Sequence, residues 1–410
     1  MDNLLYLVHR IPYPPNKGDK IRSYNFLKHL VSHYQVHLGT FVDEPNDWQY
    51  TENLDAICAQ TCYVKLDPFR AKIKSLTGLM TGDALSLPYY KSRTLQTWVN
   101  QTVKTHKIKK ILVFSSAMAQ FIEGFLSSDN NSGIDIVVDF VDVDSDKWRQ
   151  YAEKKQGWER WVYRREAKFL FDYEQKIAQL AKASLFVSEQ EAALFKTLAP
   201  ALDGKTHHIY NGVDTDYFSS GQAPNSPFPD NGFNNLVFTG AMDYWANVDA
   251  VVWFAREVLP AVLKACPNTK FYIVGSKPTK DVEALASDQV IVTGSVPDVR
   301  PFVAHATVSV APLRIARGIQ NKVLEAMALS KYIVATSAAM EGIPYGSNEL
   351  ALSVTDDADQ MAANIIGLLQ NKPTAAASAV NREFVKMTFS WGHSGTRLCS
   401  FLNGSSDYQL

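Results

Sequence analysis

The sequence predicts an α/β protein built from two doubly wound, Rossmann-like domains facing a central cleft. Three observations carry this. Short apolar, β-branched runs alternate with stretches of helical period along the whole chain. The runs are continuously apolar rather than alternating, so the strands are covered on both faces, as in parallel sheets with crossover helices. The chain has 410 residues, 46% hydrophobic and 20% charged, enough for two or three globular domains with sizeable cores.

In chain order, strands are expected over residues 4–8, 36–42, 111–114, 136–141 and 185–187 in the first half. In the second half they are expected over 208–210, 236–239, 271–274, 290–292, 308–311 and 332–335. Helical period marks 21–34, a long stretch over 145–181, then 247–265 and 318–330. The turn-forming stretch 219–235, rich in Ser, Pro, Gly and Asn, reads as a surface loop early in the second domain, with the hinge slightly upstream. The domains are therefore 1–205 and 206–388, followed by a last segment, 389–410. A ligand is expected at the cleft between them.

Composition excludes several classes. Lysine plus arginine is 41 and aspartate plus glutamate 42, a net charge of −1, which gives no global attraction to nucleic acid. Cys58 and Cys62 have no second Cys or His pair at zinc spacing, and Cys266 and Cys399 stand alone, so the cysteines read as buried, reduced thiols of a reducing compartment. The start, Met1-Asp2-Asn3 before Leu4, lacks the basic region and long apolar stretch of a signal peptide. No window is long and apolar enough to span a membrane, so a cytoplasmic protein is expected, with any membrane contact peripheral.

The segment richest in chemistry is 314–329, which follows the strand at 308–311. Gly318 is expected to turn the backbone into a helix that sends Ile319, Val323 and Met327 to the core. Gly318, Asn321, Lys322 and Glu325 then share another face, toward the strand ends. A helix amino terminus favours a phosphate, and Arg317 and Lys322 add two cations there. Glu325 is placed to accept hydrogen bonds from ribose hydroxyls. The competing reading is a surface helix with solvated charges.

The run Gly318-(x)3-Lys322-(x)2-Glu325-Ala326-Met327-Ala328 resembles the donor-site motif of glycosyltransferase family 4, retaining enzymes with the two-domain GT-B fold. Asn211-Gly212-Val213-Asp214 looks like the segment by which that family enters its second domain, and Val187-Ser188-Glu189-Gln190 like the segment closing its first. Gly294-Ser295-Val296-Pro297-Asp298 resembles the loop receiving the nucleotide base. More narrowly, Tyr13-Pro14-Pro15-Asn16-Lys17-Gly18, Asp139-Phe140-Val141-Asp142-Val143-Asp144 and Phe238-Thr239-Gly240-Ala241-Met242 resemble sugar transferases of bacterial exopolysaccharide and exosortase (PEP-CTERM) loci.

The resemblance implies a hexosyltransferase-type enzyme using a nucleotide-sugar donor and a saccharide or polyprenyl-linked saccharide acceptor, with no cofactor and no catalytic metal. It places Gly318 and Ile319 with Arg317 and Lys322 at the diphosphate, Val296 and Asp298 near the base, Glu325 on the ribose, and Gly240 among the donor-binding residues. Cations and helix N–H groups aimed at the leaving diphosphate would stabilise the transition state. The glycine-containing loop at Gly18 approaches donor phosphate and acceptor, with Lys17, Lys20 and Arg22 bringing charge to an anionic acceptor. It also implies a C-terminal helix, around 391–402, that packs back across the domains.

Two departures matter. The family's Glu-(x)7-Glu pair becomes Arg317 with Glu325, and its basic residues after the first strand of the second domain are replaced by Ala241 and Ala246. Together they read as a swap in which the cationic clamp has moved to Arg317 and Lys322.

Asp139, Asp142 and Asp144 crowd one strand end, where carboxylates are costly unless solvated, paired or functional. Contact with acceptor or sugar hydroxyls is expected first of Asp142, with helix capping by Asp144 or Ser145 as the plainer alternative. Residues 147–176 hold nine basic and five acidic residues interleaved with aromatics. Such a helix suits either the anionic inner leaflet or packing into the first domain. Two other readings compete: a nucleotide-sugar 2-epimerase on the same architecture, and a catalytically degenerate nucleotide-sugar-binding scaffold.

Overall fold

A computed structural model describes the chain except for residues 17, 126–132, 154, 220, 222–223, 231, 317, 347–349, 372–374 and 405–410. It divides into two units. Met1–Asn211 with the chain from Ser394 onward forms the first, and Gly212–His393 the second.

The first unit is built on β1 (Asp2–Val8), β2 (Tyr34–Val42), β3 (Gln60–Lys65), β4 (Lys110–Phe114), β5 (Asp135–Val141), β6 (Ala183–Phe186) and β7 (Thr206–His208). All pairs are parallel, in the order β3-β2-β1-β4-β5-β6-β7. Leu4 to Val8 are buried on both faces of the sheet, which explains the unbroken apolar run. The second unit holds β8 (Asn234–Thr239), β9 (Thr269–Val274), β10 (Val290–Gly294), β11 (Val308–Ala311), β12 (Ile333–Ala335) and β13 (Leu352–Val354). They too pair in parallel, in the order β10-β9-β8-β11-β12-β13. In each sheet the chain reverses its direction of strand addition beside the first strand, between β1 and β4 and between β8 and β11. Ligands of doubly wound sheets bind at the carboxyl ends of strands flanking that switch point.

Several boundaries differ from the sequence expectation for physical reasons. The first helix is Gly18–Leu30 and stops short of 34 because Tyr34 already pairs with Asp2 in β2. The long helix expected over 145–181 is two, Asp144–Glu153 and Gly157–Leu180, divided where Gly157 takes a left-handed φ of 57°. The helix expected over 247–265 runs Trp245–Trp253, then through a π segment Phe254–Val258 into Leu259–Ala265, with Pro260 withdrawing an N–H at the junction. The run at 208–210, read from sequence as part of the second half, belongs instead to the first sheet, because Thr206–His208 pairs with β6. β3 and β13 escape the sequence pattern because both are edge strands whose residues stay half-exposed.

The last helix, Trp391–Asn403, packs on the first unit from Ser394 onward. Ser394 Oγ donates to the Tyr210 carbonyl at 2.8 Å, and the Tyr34 hydroxyl donates to Asn403 Oδ1 at 2.9 Å. Among the described residues no helix is long and apolar enough to cross a membrane.

Candidate functional site

In the second unit the carboxyl end of β8 is shaped by two glycines. Gly240 N donates to Val274 O at 3.0 Å, and a Cβ built on Gly275 would lie 1.7 Å from Gly240 O. No side chain fits there, so the ends of β8 and β9 close on one another backbone to backbone. A Cβ on Gly240 would meet Asn247 Nδ2 at 2.7 Å and Lys322 Nζ at 3.2 Å. The absent side chain therefore lets these two polar groups pack directly against the backbone at the strand end.

Lys322 reaches this point from the other side of the switch. The loop after β11 ends in Gly318, at φ 64°, and leads to the helix Asn321–Ala328. This corrects the expected helix of 318–330: Gly318 and Ile319 lie in the loop, and Gln320 is the N-cap residue, its side-chain amide donating to Gly318 O at 2.9 Å. Val323 and Met327 are buried in the core as expected, which turns Lys322 and Glu325 toward the strand ends. Lys322 Nζ donates to Asn247 Oδ1 at 2.5 Å and sits 4.4 Å above the Phe238 ring. Asn247 spends its Nδ2 on Ala241 O at 2.8 Å, so its oxygen is fixed toward the lysine. Burial lowers the Lys322 pKa to about 8, with Glu325 opposing, and burial raises Glu325 to about 7, with Lys322 opposing. Both groups are thus poised near neutrality, and among the described residues no hydrogen bond or ion pair engages the Glu325 carboxylate. Partly buried groups with shifted pKa values at a switch point mark a candidate functional site.

The other donor-side residues are placed less decisively. Asn321 is exposed at the helix start, and Val296 is half-buried after β10. Asp298 is held by Arg300, whose Nη2 lies 2.6 Å from its Oδ2 and whose guanidinium stacks 3.8 Å from the Tyr217 ring centroid. Its carboxylate thus has a partner before any base arrives. Arg317 lies outside the described residues. Asn247 escaped the sequence reading; its signal is an amide in the first turn of the helix that follows a glycine-ended strand.

In the first unit three acceptor-side residues are withdrawn into the structure. Lys20 is 1% exposed and pairs with Asp47 at 2.6 Å. Arg22, also 1% exposed, grips fully buried Asp139 through Nε at 2.8 Å and Nη2 at 3.1 Å. Its Nη1 donates to Ile209 O at 2.8 Å and Asn211 Oδ1 at 3.0 Å. Lys20, Arg22 and Asp139 are therefore ion pairs of the fold, not groups that present charge to an acceptor. Gly18 opens its helix with nothing within 4 Å of a Cβ, so the space around it does not demand glycine, and Lys17 lies outside the described residues.

Asp142 and Asp144 remain accessible, and Lys147 Nζ bridges them at 2.7 and 3.1 Å. They follow a strained turn: Asp142 N donates to Phe140 O across Val141, a β-branched residue at φ 70°. Burial pushes the Asp144 carboxyl up, while Lys147 opposes it. At the switch point itself stands His9, which the sequence reading left unassigned. It stacks on Phe114 at 5.8 Å, its Nε2 is 3.3 Å from Asp19, and its Nδ1 is buried without a hydrogen-bond partner. Arg10 joins Asp19 to Asp43 at 2.9 Å each.

Residues 234–371, all in the second unit, match the family model described as Glycosyl transferases group 1. Solved structures align over nearly the whole chain. Sucrose-phosphate synthase from Thermosynechococcus elongatus is 17% identical with a TM-score of 0.61, covering 98% of this chain and 99% of its own. A glycosyltransferase from Rickettsia africae is 12% identical with a TM-score of 0.62, covering 100% and 99%. HepE from Anabaena, solved in complex with UDP, is 14% identical with a TM-score of 0.60, covering 98% and 100%. The fold is GT-B. Its two Rossmann-like domains are the seven- and six-stranded sheets with their helices. No curated protein matches the sequence. The group 1 match spans β8 to the end of the helix Ala358–Gln370, and so includes Gly240, Asn247, Lys322 and Glu325.

Proposed function

We propose that this GT-B chain is a retaining, metal-independent glycosyltransferase that moves a hexose from a nucleotide-sugar to a saccharide or lipid-linked saccharide in exopolysaccharide synthesis. The observation that carries the reading is the convergence of Gly240, Asn247, Lys322 and Glu325 at the switch point of the second sheet. In it, the diphosphate lies at the carboxyl end of β8 beside Gly240, with the Lys322 ammonium and the helix Asn321–Ala328 directed at it. Glu325 accepts from the ribose hydroxyls. As the glycosidic bond breaks, negative charge grows on the leaving diphosphate, and a cation already in place stabilises it without reorganisation. Arg317 is proposed as the second cation, on the strength of the sequence swap alone. UDP and UDP-glucose are the first ligands to try, because HepE was solved with both. The acceptor is assigned to the first unit, where Asp142, Asp144 and His9 offer carboxylates and an imidazole at strand ends.

Turnover decides between this reading and the scaffold reading that Arg317, in place of a glutamate, keeps in play. Nucleotide-sugars of several bases and hexoses, offered with a lipid extract and a saccharide panel, should release nucleoside diphosphate and yield a product of retained anomeric configuration. A chain that binds a diphosphate and turns over none of them is a scaffold.

The titrations fix a pH signature. Above about pH 8 Lys322 loses its charge, so affinity for the diphosphate should fall. Below about pH 7 Glu325 is protonated and accepts fewer hydrogen bonds, so affinity for the nucleoside should fall as well. Lys322→Ala removes the alkaline limb and, because Lys322 no longer opposes the rise of Glu325, moves the acid one to higher pH, which calorimetry across pH 6–9.5 would read.

A lipid-linked acceptor would bring the first unit to an anionic membrane. Trp158 and Trp161 stack at 4.8 Å and are 67% and 51% exposed, beside exposed Arg160 and Arg164. Phe69, Ile73 and Leu76 are exposed at helical spacing among Arg70, Lys72 and Lys74. Aromatic and basic residues together suit an anionic interface. Other aromatics of the same stretch go inward, since Tyr173 is buried and Phe171 packs on Phe195. Trp158→Ser with Trp161→Ser should lower partitioning onto phosphatidylglycerol vesicles by at least about thirtyfold, since two buried rings at roughly 1–2 kcal/mol each contribute about 2–4 kcal/mol; an unchanged partition would remove this surface from the proposal.

A further inference from the structure

We propose that His29, His33 and Cys399 bind one zinc-class metal ion that fastens the end of the first helix to the last helix of the chain. The three residues are all in the first unit, and the inference does not depend on the donor site of the second. One nitrogen of each imidazole and the Cys399 sulfur lie within 4.8 Å of one another. Two imidazoles and a thiolate are the donor set of a borderline-soft ion such as Zn²⁺, with a water completing the tetrahedron. Metal–ligand bonds of about 2.0–2.3 Å put tetrahedral ligand atoms roughly 3.3–3.7 Å apart, so the cluster has to close by about 1 Å. His33 is exposed, in the turn beyond the helix Gly18–Leu30, and is free to make that movement.

Two further observations point to a ligand, and two more show how the cluster is held together. His29 Nε2 is buried and has no hydrogen-bond partner. An orphaned buried nitrogen is costly, and a metal bond would satisfy it. His33 Nδ1 lies 3.0 Å from the His29 carbonyl oxygen, which can only accept. Ser32 Oγ, itself donating to that carbonyl at 2.6 Å, stands 2.9 Å from the same nitrogen. The neutral His33 ring therefore carries its proton on Nδ1 and its lone pair on Nε2, the outer-shell arrangement by which proteins orient a metal-binding imidazole. The last helix also presses on the site. A Cβ on Gly395 would lie 2.3 Å from His29 Cγ, so only glycine lets the helix backbone seat against the imidazole. Cys399, four residues on, falls on the same helix face. The two imidazoles stack at 4.6 Å and 21°, which holds His29 and His33 side by side.

Cobalt reports such a site directly, because a thiolate ligand gives it a charge-transfer band. Reduced, chelator-treated full-length protein titrated with Co²⁺ should saturate at one equivalent with that band, and Zn²⁺ should bleach it. Zn²⁺ should also raise the melting temperature, and a chelator should reverse the rise. Cys399→Ser should abolish the band. His33→Gln, at an exposed position that does not threaten the fold, should weaken Co²⁺ binding at least about tenfold. No band at saturating cobalt, a band that survives Cys399→Ser, or an unchanged affinity in His33→Gln would each overturn the site.

Discussion

Replacing Lys322 with alanine should lower kcat/KM for the nucleotide-sugar by about 10²–10³, or roughly 3–4 kcal/mol of transition-state stabilisation. The lysine has a Coulombic role that alanine cannot supply, in a half-buried place where the effective dielectric is low. The loss should fall on the diphosphate: affinity for a nucleoside diphosphate drops far more than affinity for the nucleoside. Lys322→Arg should recover little. Asn247 Oδ1 at 2.5 Å and the Phe238 face at 4.4 Å enclose a compact ammonium, and the planar guanidinium is a different shape with a different reach. Equal losses for diphosphate and nucleoside would mean that Lys322 supports the fold of the site and does not meet the phosphates.

The second large effect is on stability. Asp139→Ala leaves the Arg22 guanidinium 1% exposed without its bidentate partner. Removing one member of a buried pair costs about 3–5 kcal/mol. Denaturant unfolding should therefore show a markedly lower midpoint for the first unit, while diphosphate affinity of the protein that remains folded is unchanged. Arg22→Met combined with Asp139→Leu should recover much of the loss, since well-packed apolar replacements of buried pairs are often neutral. An acceptor-binding Asp139 would behave in the opposite way, with activity lost and stability kept.

Much of this molecule is legible in its sequence, and the reason is the sheets. Strands buried on both faces, such as β1 and β8, announce themselves as unbroken apolar runs. The edge strands β3 and β13 do not, because half-exposed residues carry no such run. Glu325 and Lys322 were legible because their helix also carries buried Val323 and Met327, whose spacing fixes its other face. Asn247 was not, since nothing local says that an amide 75 residues before Lys322 will hold its ammonium. Arg22 and Asp139 misled for the same reason in reverse. A basic residue after a glycine loop and an acid on a strand look like site residues until the sheet brings them together, 117 positions apart in sequence. Cys399 stands alone in sequence, and only the return of the last helix sets it beside His29 and His33.

The most direct test of the donor site is calorimetric titration of UDP, GDP and ADP into the full chain and into Gly240→Val. A valine there puts its Cβ 2.7 Å from Asn247 Nδ2 and 3.2 Å from Lys322 Nζ, so it drives both groups from the places proposed to meet the diphosphate. One diphosphate should bind the wild-type chain at one site, and Gly240→Val should lose that binding, with a melting temperature lowered by the contact its Cβ makes with Asn247 Nδ2. Full binding by folded Gly240→Val, or binding of none of the three by the folded wild-type chain, would contradict a donor site at Gly240, Lys322 and Glu325.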